Sequence, residues 1–243
     1  SLYYKCLVKT SWLNKLYNSI DFFSLIPASY LKACSASDPN LNACIEKTIV
    51  AAGPDFTYGI PEFGIEPLDP IKLGTIPIDN AGLKLTFKNT VVSGLRGFKL
   101  NSFKMNTAKG RVMLDFTANV TLKGDYDMDG QIIILPIKGH GQTKIKITNL
   151  NIIIKYEFVT KDGYWTVTDH KDMYKMDRAV FKFTNLFGGN KQLADTTSQF
   201  MNQNWSIIME EIAPPAVKLI IKKCVDEVKK LFANVPAAEL MLP

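Results

Sequence analysis

Residues 144–158 read Lys-Ile-Lys-Ile-Thr-Asn-Leu-Asn-Ile-Ile-Ile-Lys-Tyr-Glu-Phe, and apolar and polar side chains alternate along almost the whole stretch. A period of two is typical of a strand with one face in a core and the other in water. The alternation slips by one residue near Asn149, after which Leu150 and Ile152 continue the apolar set begun by Ile145 and Ile147. Such a slip predicts a β-bulge or a sharp bend in this strand.

The chain on either side of this stretch is also strand-like. Residues 111–120 alternate in the same way, and no helical period interrupts residues 80–187. Turn signals separate the apolar runs at Asp129-Gly130, Gly139-His-Gly141 and Asp162-Gly163. Short turns between such runs predict antiparallel hairpins. We therefore expect one antiparallel sheet whose long strands twist strongly and curl.

Helical patterns lie before and after the strands. Residues 41–52 carry an apolar face that predicts a helix. From residue 191 an apolar stripe with helical spacing continues for roughly 22 residues, or about 33 Å. Pro214 and Pro215 predict a break, because proline removes an amide donor, and a second helix follows over residues 216–233. A long helix with so broad an apolar face requires an equally long partner.

The composition is that of a globular protein with a basic surface. The 243 residues are 47% hydrophobic and 11% aromatic, which supports a sizeable core and excludes disorder. The 29 basic and 23 acidic residues give a net charge of +6, with lysines scattered along the strands and the C-terminal helix. We interpret this as a solvated basic surface, with weak attraction to anionic membranes or nucleic acid as the alternative. Of these, we expect transient membrane contact and no nucleic-acid partner.

The cysteines and sequons point to an oxidising compartment. Cys34 and Cys44 bracket a short polar segment, which fits a disulfide-closed loop. Asn119 and Asn204 begin N-glycosylation sequons, and Asn119 falls on the polar set of its strand. We expect glycosylation at both asparagines and secretion of the protein. The pairing of Cys6 with Cys224 stays open.

Motifs for metal binding and catalysis are weak. Asp125-x-Asp127-x-Asp129-Gly130 matches the start of a calcium loop, but Pro136 stands where the last carboxylate ligand belongs. His140 and His170 lie in polar surroundings, and the sequence contains neither a nucleophile elbow nor a zinc-protease helix motif. We expect no metal, no cofactor and no enzymatic activity.

Several further motifs are common when taken one at a time, but their order along the chain is specific. The cysteine-closed loop at 34–44 is followed by Gly-Ile-Pro-Glu-Phe-Gly-Ile-Glu-Pro-Leu-Asp-Pro at 59–70. Next come Gly-Asp-Tyr-Asp-Met-Asp-Gly at 124–130, Leu-Pro-Ile-Lys-Gly-His-Gly at 135–141, Asn-Leu-Phe-Gly-Gly-Asn at 185–190 and Phe-Met-Asn-Gln-Asn-Trp at 200–205. Together they resemble the insect Takeout and juvenile-hormone-binding-protein family over residues 30–243, with residues 1–29 as an N-terminal extension.

The resemblance implies an α+β fold in which a highly curved antiparallel sheet wraps a long C-terminal helix, as in tubular lipid-binding proteins of the super-roll type. It implies a Cys34–Cys44 disulfide and an internal tunnel for an apolar ligand. The motifs favour the Takeout branch over the hormone-binding branch. A core and a tunnel use the same residue types, so each inward-facing apolar side chain could instead be plain core. The best candidates to line the tunnel are Leu85, Phe87, Val112, Leu114, Phe116, Ile134, Ile145, Ile147, Ile152, Phe200, Ile208 and Ile212.

The function that these observations favour is a secreted, monomeric carrier of a juvenile-hormone-like terpenoid, a fatty acid or another lipid. Three alternatives differ from it. The chain could be specific for juvenile hormone, as a member of the hormone-binding branch. It could be a membrane- or partner-binding module that uses the basic helix at 218–230. It could also be a hydrolase of apolar esters, which would place a Ser or Cys beside a histidine at the end of the tunnel.

Overall fold

The computed structural model describes residues 32–243, so the N-terminal extension predicted over residues 1–29 lies outside the described residues. The helices are α1 (Leu41–Tyr58), α2 (Lys191–Gln203), α3 (Trp205–Asn234) and α4 (Ala237–Leu240). The strands are β1 (Cys34–Ser35), β2 (Ile71–Asn80), β3 (Leu83–Ser93), β4 (Lys99–Asn106), β5 (Arg111–Ile132), β6 (Leu135–Lys161), β7 (Tyr164–Lys175), β8 (Arg178–Phe183) and β9 (Met241–Leu242).

Two very long antiparallel strands organise the sheet. β5 and β6 contain 22 and 27 residues, and they pair from Arg111 opposite Glu157 to Ile132 opposite Leu135. The neighbouring strands follow the order β2-β3-β5-β6-β7, while β4 pairs with the first part of β5 and β8 with the first part of β6. At about 3.3 Å per residue, strands of this length twist through a large angle. The sheet therefore curls, as the alternation predicts.

The 30-residue helix α3 lies within the curl. It contacts β2, β7 and β8, which lie at different edges of the sheet. Its buried face, which includes Ile208, Ile212, Val217 and Ile221, packs on the inward side chains of the strands. The prediction of a long C-terminal helix wrapped by a curved antiparallel sheet is confirmed.

The bend predicted near Asn149 is present. Asn149 has a positive φ of 51°, and the β5–β6 register shifts between Ala118 and Val120 on the opposite strand. The Asn149 amide leaves the ladder and donates to the Asn119 Oδ1 at 2.8 Å. Asparagine tolerates the left-handed conformation better than most residues, so it suits this position.

Two of the three predicted turns are wrong. Asp129-Gly130 and Gly139-His-Gly141 lie inside β5 and β6, and the hairpin turns instead at Ile133 and Ile134. These glycines are needed because other segments of the chain approach them closely. A Cβ at Gly130 would collide with the Gly82 carbonyl, and one at Gly139 or Gly141 would meet the 184–186 segment. The turn predicted at Asp162-Gly163 does connect β6 to β7.

The C-terminal helices break at a different residue from the one predicted. The interruption lies at Asn204, whose amide and side-chain nitrogen both donate to the Phe200 carbonyl. Helix α3 continues through Pro214 and Pro215. Pro214 is exposed, whereas Ala213 and Ala216 beside the prolines are buried, so the lost helical hydrogen bonds are compensated by packing on the opposite face.

A buried carboxylate fixes the C-terminal half of α3 to the connector, residues 59–70, which joins α1 to β2. Glu227 is 1% exposed, and its Oε2 accepts a hydrogen bond from the Glu66 amide at 2.9 Å. The Lys230 ammonium lies 2.9 Å from the same oxygen. The connector is therefore held by contacts that a shorter side chain at position 227 could not make.

We predict that Glu227→Ala lowers the free energy of unfolding by about 3 kcal/mol, because it removes a charge-assisted hydrogen bond and leaves a buried amide without a partner. Urea denaturation measures the change. Asp226→Ala is the control, since Asp226 makes only a surface ion pair with Lys222, and we expect it to cost no more than about 0.5 kcal/mol. Equal losses in the two variants would contradict this role of Glu227.

Candidate functional site

An apolar cavity of about 290 Å³ lies at the end of the curled sheet that α1 covers. Its walls come from α1, the 95–98 loop, β4, the first part of β5, the second part of β6, the first part of β7 and the C-terminal half of α3. The apolar side chains around it include Ile45, Ile49, Ala52, Phe56, Leu95, Phe98, Phe103, Met105, Val112, Leu114, Phe116, Ile154, Phe158, Val225, Val228, Leu231 and Phe232. Its volume is close to the lower end of the range for small-molecule pockets, about 300 Å³.

Few polar groups face this cavity, and most have partners in the protein. The Thr48 hydroxyl donates to the Lys32 carbonyl at 2.9 Å, and the Thr57 hydroxyl donates to the Pro54 carbonyl at 2.7 Å. Tyr156 differs from them, since its hydroxyl makes no hydrogen bond within residues 32–243. A phenol in that position can bond to a polar atom of a guest molecule.

Burial keeps the Tyr156 phenol and the Cys224 thiol in the cavity wall neutral. It raises the pKa of Tyr156 well above the ordinary value for a phenol. It also raises the pKa of the Cys224 thiol to about 12. Near neutral pH, Tyr156 therefore remains a hydrogen-bond donor, and Cys224 remains a weakly nucleophilic thiol.

Helix α1 closes one side of the cavity and is fixed at several points. The Asn42 Oδ1 accepts from the Met105 amide and the Glu46 Oε1 accepts from the Phe103 amide, each at 2.9 Å. These side chains satisfy the amides on the free edge of β4. A Cys34–Cys44 disulfide joins α1 to β1, and β1 pairs in parallel with β9 at the C-terminus.

The 94–98 loop is positioned by a single carboxylate. Asp69 accepts hydrogen bonds from the amides of Gly94 at 3.1 Å and Arg96 at 2.9 Å. Gly94 has a φ of 110°, and a Cβ there would collide with the Asn119 carbonyl. The Arg96 guanidinium lies over the ring of Tyr58, 3.5 Å from its centroid. These contacts hold the adjacent Leu95 and Phe98 against the cavity.

Comparison with known proteins places this architecture in a family. The family model described as haemolymph juvenile hormone binding protein (JHBP) matches residues 15–242. The chain belongs to this family. The resemblance seen in the motif order is thereby confirmed.

Two relatives of the JHBP-family chain match over most of its length. It is 33% identical to Takeout 1 of Epiphyas postvittana, whose crystal structure superposes with a TM-score of 0.82 and covers 88% of this chain and 100% of that one. It is 31% identical to the circadian clock-controlled protein daywake of Drosophila melanogaster, over 87% of this chain and 86% of the relative. A juvenile hormone-binding protein of Manduca sexta is 30% identical over 38% of this chain and 40% of its own length.

The candidate lining residues divide into three groups in this JHBP-family structure. Val112, Leu114 and Phe116 face the cavity. Phe200 is half-buried beside the packed main core, and that core contains Leu85, Phe87, Ile145, Ile147, Ile152, Ile208 and Ile212. Ile134 is 80% exposed because it lies in the β5–β6 turn, so its assignment to the lining is wrong.

Sequence reasoning missed most of the cavity wall. The residues of α1, the 95–98 loop and the end of α3 that face the cavity were not predicted to line it. The apolar faces of residues 41–52 and 216–233 carried the available signal, because both are wider than a contact with a single neighbour requires. The 95–98 loop has no comparable pattern.

Among the remaining candidate residues, Cys34 and Cys224 line the cavity, whereas Cys44, the two sequon asparagines and the two histidines do not. The predicted Cys34–Cys44 disulfide is confirmed, with a Cα–Cα distance of 6.0 Å, whereas Cys6 lies outside the described residues. Asn119 is exposed and Asn204 is half-buried, and glycosylation of both stays a prediction. His140 lies on the central strand β6 and His170 on the edge strand β7.

The aspartates of the calcium-like motif lie along β5 rather than in a loop. Asp127 and Asp129 pair with Lys88 and Lys138, and Asp125 accepts a hydrogen bond from Asn89. In the part of the chain that the structure describes, no cluster of His, Cys, Asp or Glu is arranged to hold a metal ion. None of the helices in that part combines the length and hydropathy needed to cross a bilayer.

The substitution of alanine by phenylalanine at two positions distinguishes cavity from core. Ala52 faces the cavity, whereas Ala118 is 3% exposed within the main core. We predict that Ala52→Phe changes the free energy of unfolding by less than about 1 kcal/mol and abolishes binding of a fluorescent fatty acid. Ala118→Phe should overpack the core and cost about 3 kcal/mol. Denaturation curves and probe titrations measure both effects, and equal destabilisation would show that the cavity is packed core.

Proposed function

We propose that this JHBP-family protein is an extracellular carrier that encloses one small apolar molecule in the α1-covered cavity. The observation that carries the proposal is an apolar cavity of about 290 Å³ whose wall contains the phenol of Tyr156, which has no hydrogen-bond partner among residues 32–243. Apolar walls provide affinity without direction, and one hydroxyl provides orientation. The expected ligand is therefore mostly hydrocarbon with at least one oxygen that accepts a hydrogen bond.

Burial of the ligand supplies the driving force. Each methylene that leaves water contributes about 0.8 kcal/mol, or roughly a fourfold gain in affinity. Association and ordering offset several kcal/mol of the total, so a chain of about fifteen carbons, worth roughly 12 kcal/mol before these costs, is needed for micromolar binding or better. A long-chain acid, alcohol, ester or terpenoid meets this requirement, whereas a small polar metabolite does not.

The comparisons support a carrier of this kind. The family description and the Manduca sexta relative both name the binding of juvenile hormone, and the family description also names the haemolymph. The disulfide of this chain is compatible with an oxidising extracellular medium. The crystal structure of Takeout 1 matches 88% of this chain, so we assign the chain to the Takeout branch as part of this proposal and do not restrict its ligand to juvenile hormone.

The cavity offers little support for an esterase. Within residues 32–243 no histidine lines it, and the Cys224 thiol is neutral at physiological pH. A nucleophile without a general base is not activated for acyl transfer. The carrier therefore accounts for the cavity better than the hydrolase alternative.

We predict that Tyr156→Phe weakens binding of a long-chain ligand with a terminal carbonyl or hydroxyl by roughly fivefold, the value of one neutral hydrogen bond. Binding of a hydrocarbon of the same length should be unchanged, since the ring remains. Isothermal titration measures the affinities. Tyr164→Phe is the control, because Tyr164 is exposed outside the cavity.

Each result has a distinct meaning. An equal effect of Tyr156→Phe on both ligands would show that the hydroxyl does not contact the guest. The carrier function itself would be contradicted if the unmodified protein bound neither ligand at a stoichiometry near one.

A further inference from the structure

The outer face of the sheet carries a row of lysines that face one another across three strands. Lys123 on β5 is directly opposite Lys144 on β6, and Lys144 is directly opposite Lys182 on β8. Direct partners in an antiparallel pair project from the same face. Lys146, two residues further along β6, extends the row, and its partner on β8 is Val180, which is 43% exposed. We call Lys123, Lys144, Lys146 and Lys182 the lysine patch.

Nothing within the described chain neutralises this patch. Like charges directly opposite one another in a sheet are destabilising. Within residues 32–243, none of the four lysines forms an ion pair with an acidic side chain. The nearest acid in the register is Asp125, and its carboxylate accepts a hydrogen bond from Asn89. The repulsion is therefore relieved only by solvent, by ions or by an external partner.

The basic helix at residues 218–230, the surface of the alternative membrane-binding hypothesis, differs from the lysine patch in its ion pairs. Lys222 pairs with Asp226 at 2.6 Å, Lys223 with Glu66 at 2.9 Å and Lys230 with Glu227 at 2.9 Å. Much of its positive charge is consequently balanced by neighbouring carboxylates. If one surface of the molecule attracts an anionic partner, the arrangement of charges favours the sheet over the helix.

We propose that the lysine patch docks the protein on the surface of an anionic lipid bilayer. Lysines are flexible point charges without the rigid fork of arginine, so they suit anions that move to meet them, as lipid headgroups do. Val180 lies among the lysines and can enter the headgroup region while their ammonium groups remain in contact with phosphate.

A nucleic-acid partner fits the patch less well. The immediate outer-face neighbours in the register are Val91, Thr121 and Val180, none of them aromatic. Without an aromatic side chain the surface has no platform on which bases stack. The patch also lies outside the α1-covered cavity, so docking does not depend on what the cavity holds.

Co-sedimentation with vesicles tests the proposal. The vesicles contain phosphatidylcholine alone or with about 30% phosphatidylserine, at about 0.05 M and about 0.5 M salt. The full chain should sediment with the anionic vesicles at low salt only. The variant Lys123→Gln/Lys144→Gln/Lys182→Gln should bind at least tenfold less, because each lysine near an anionic surface contributes roughly fivefold. Its melting temperature at low salt should be unchanged or higher, since repulsion is removed.

The matched control is Lys218→Gln/Lys222→Gln/Lys229→Gln, which removes the same charge from exposed positions of α3. It should retain binding within about twofold. Lys182→Gln alone provides a milder variant with an intermediate loss, in case the triple variant does not fold. If both triple variants lost vesicle binding equally, binding would depend on net charge alone, and docking through the lysine patch would be contradicted. Binding to heparin or to an acidic protein without binding to vesicles would overturn the lipid surface as its partner.

Discussion

The pairing of β5 with β6 over their full lengths constrains the rest of the molecule. Strands of 22 and 27 residues cannot remain flat, and the bulge at Asn149 adds a bend in the middle of the pair. The concave face of such a sheet has to be covered by an apolar surface, and the 30-residue helix α3 packs against it. Four shorter strands each pair with only part of the long hairpin: β3, β4, β7 and β8. The two ends of the curled sheet therefore differ in construction.

This difference explains where the cavity forms. In the middle of the curled sheet, α3 packs directly on β-branched and aromatic side chains of the strands in the main core. At the end of the curled sheet where the cavity lies, the wall opposite α3 is the helix α1. This helix presents the small residues Ala52 and Gly53 to the interior. The disulfide and the hydrogen bonds from Asn42 and Glu46 hold α1 in place over that space. The same features that hold α1 over this end of the curled sheet therefore leave room for a guest.

Much of the fold could be predicted because its signals are local. The alternation through Ile145 and Ile152, the slip at Asn149 and the apolar face of residues 41–52 each follow from spacing alone. The failures are not local. Gly130 and Gly139 resemble turn residues, yet they are needed because other segments approach them closely. Ile145 and Val112 have the same strand pattern, and only the packing of α1 and α3 determines that one is core and the other faces the cavity. No local pattern distinguishes a filled interior from an empty one.

The central claim is that the cavity holds one apolar molecule. Mass spectrometry of an organic extract, made from protein secreted by eukaryotic cells and quantified against the protein, tests it most directly. The account predicts one dominant species per chain, or a narrow set of them, mostly hydrocarbon and containing at least one oxygen. An extract without such molecules, from protein that also fails to bind added long-chain ligands, would contradict it.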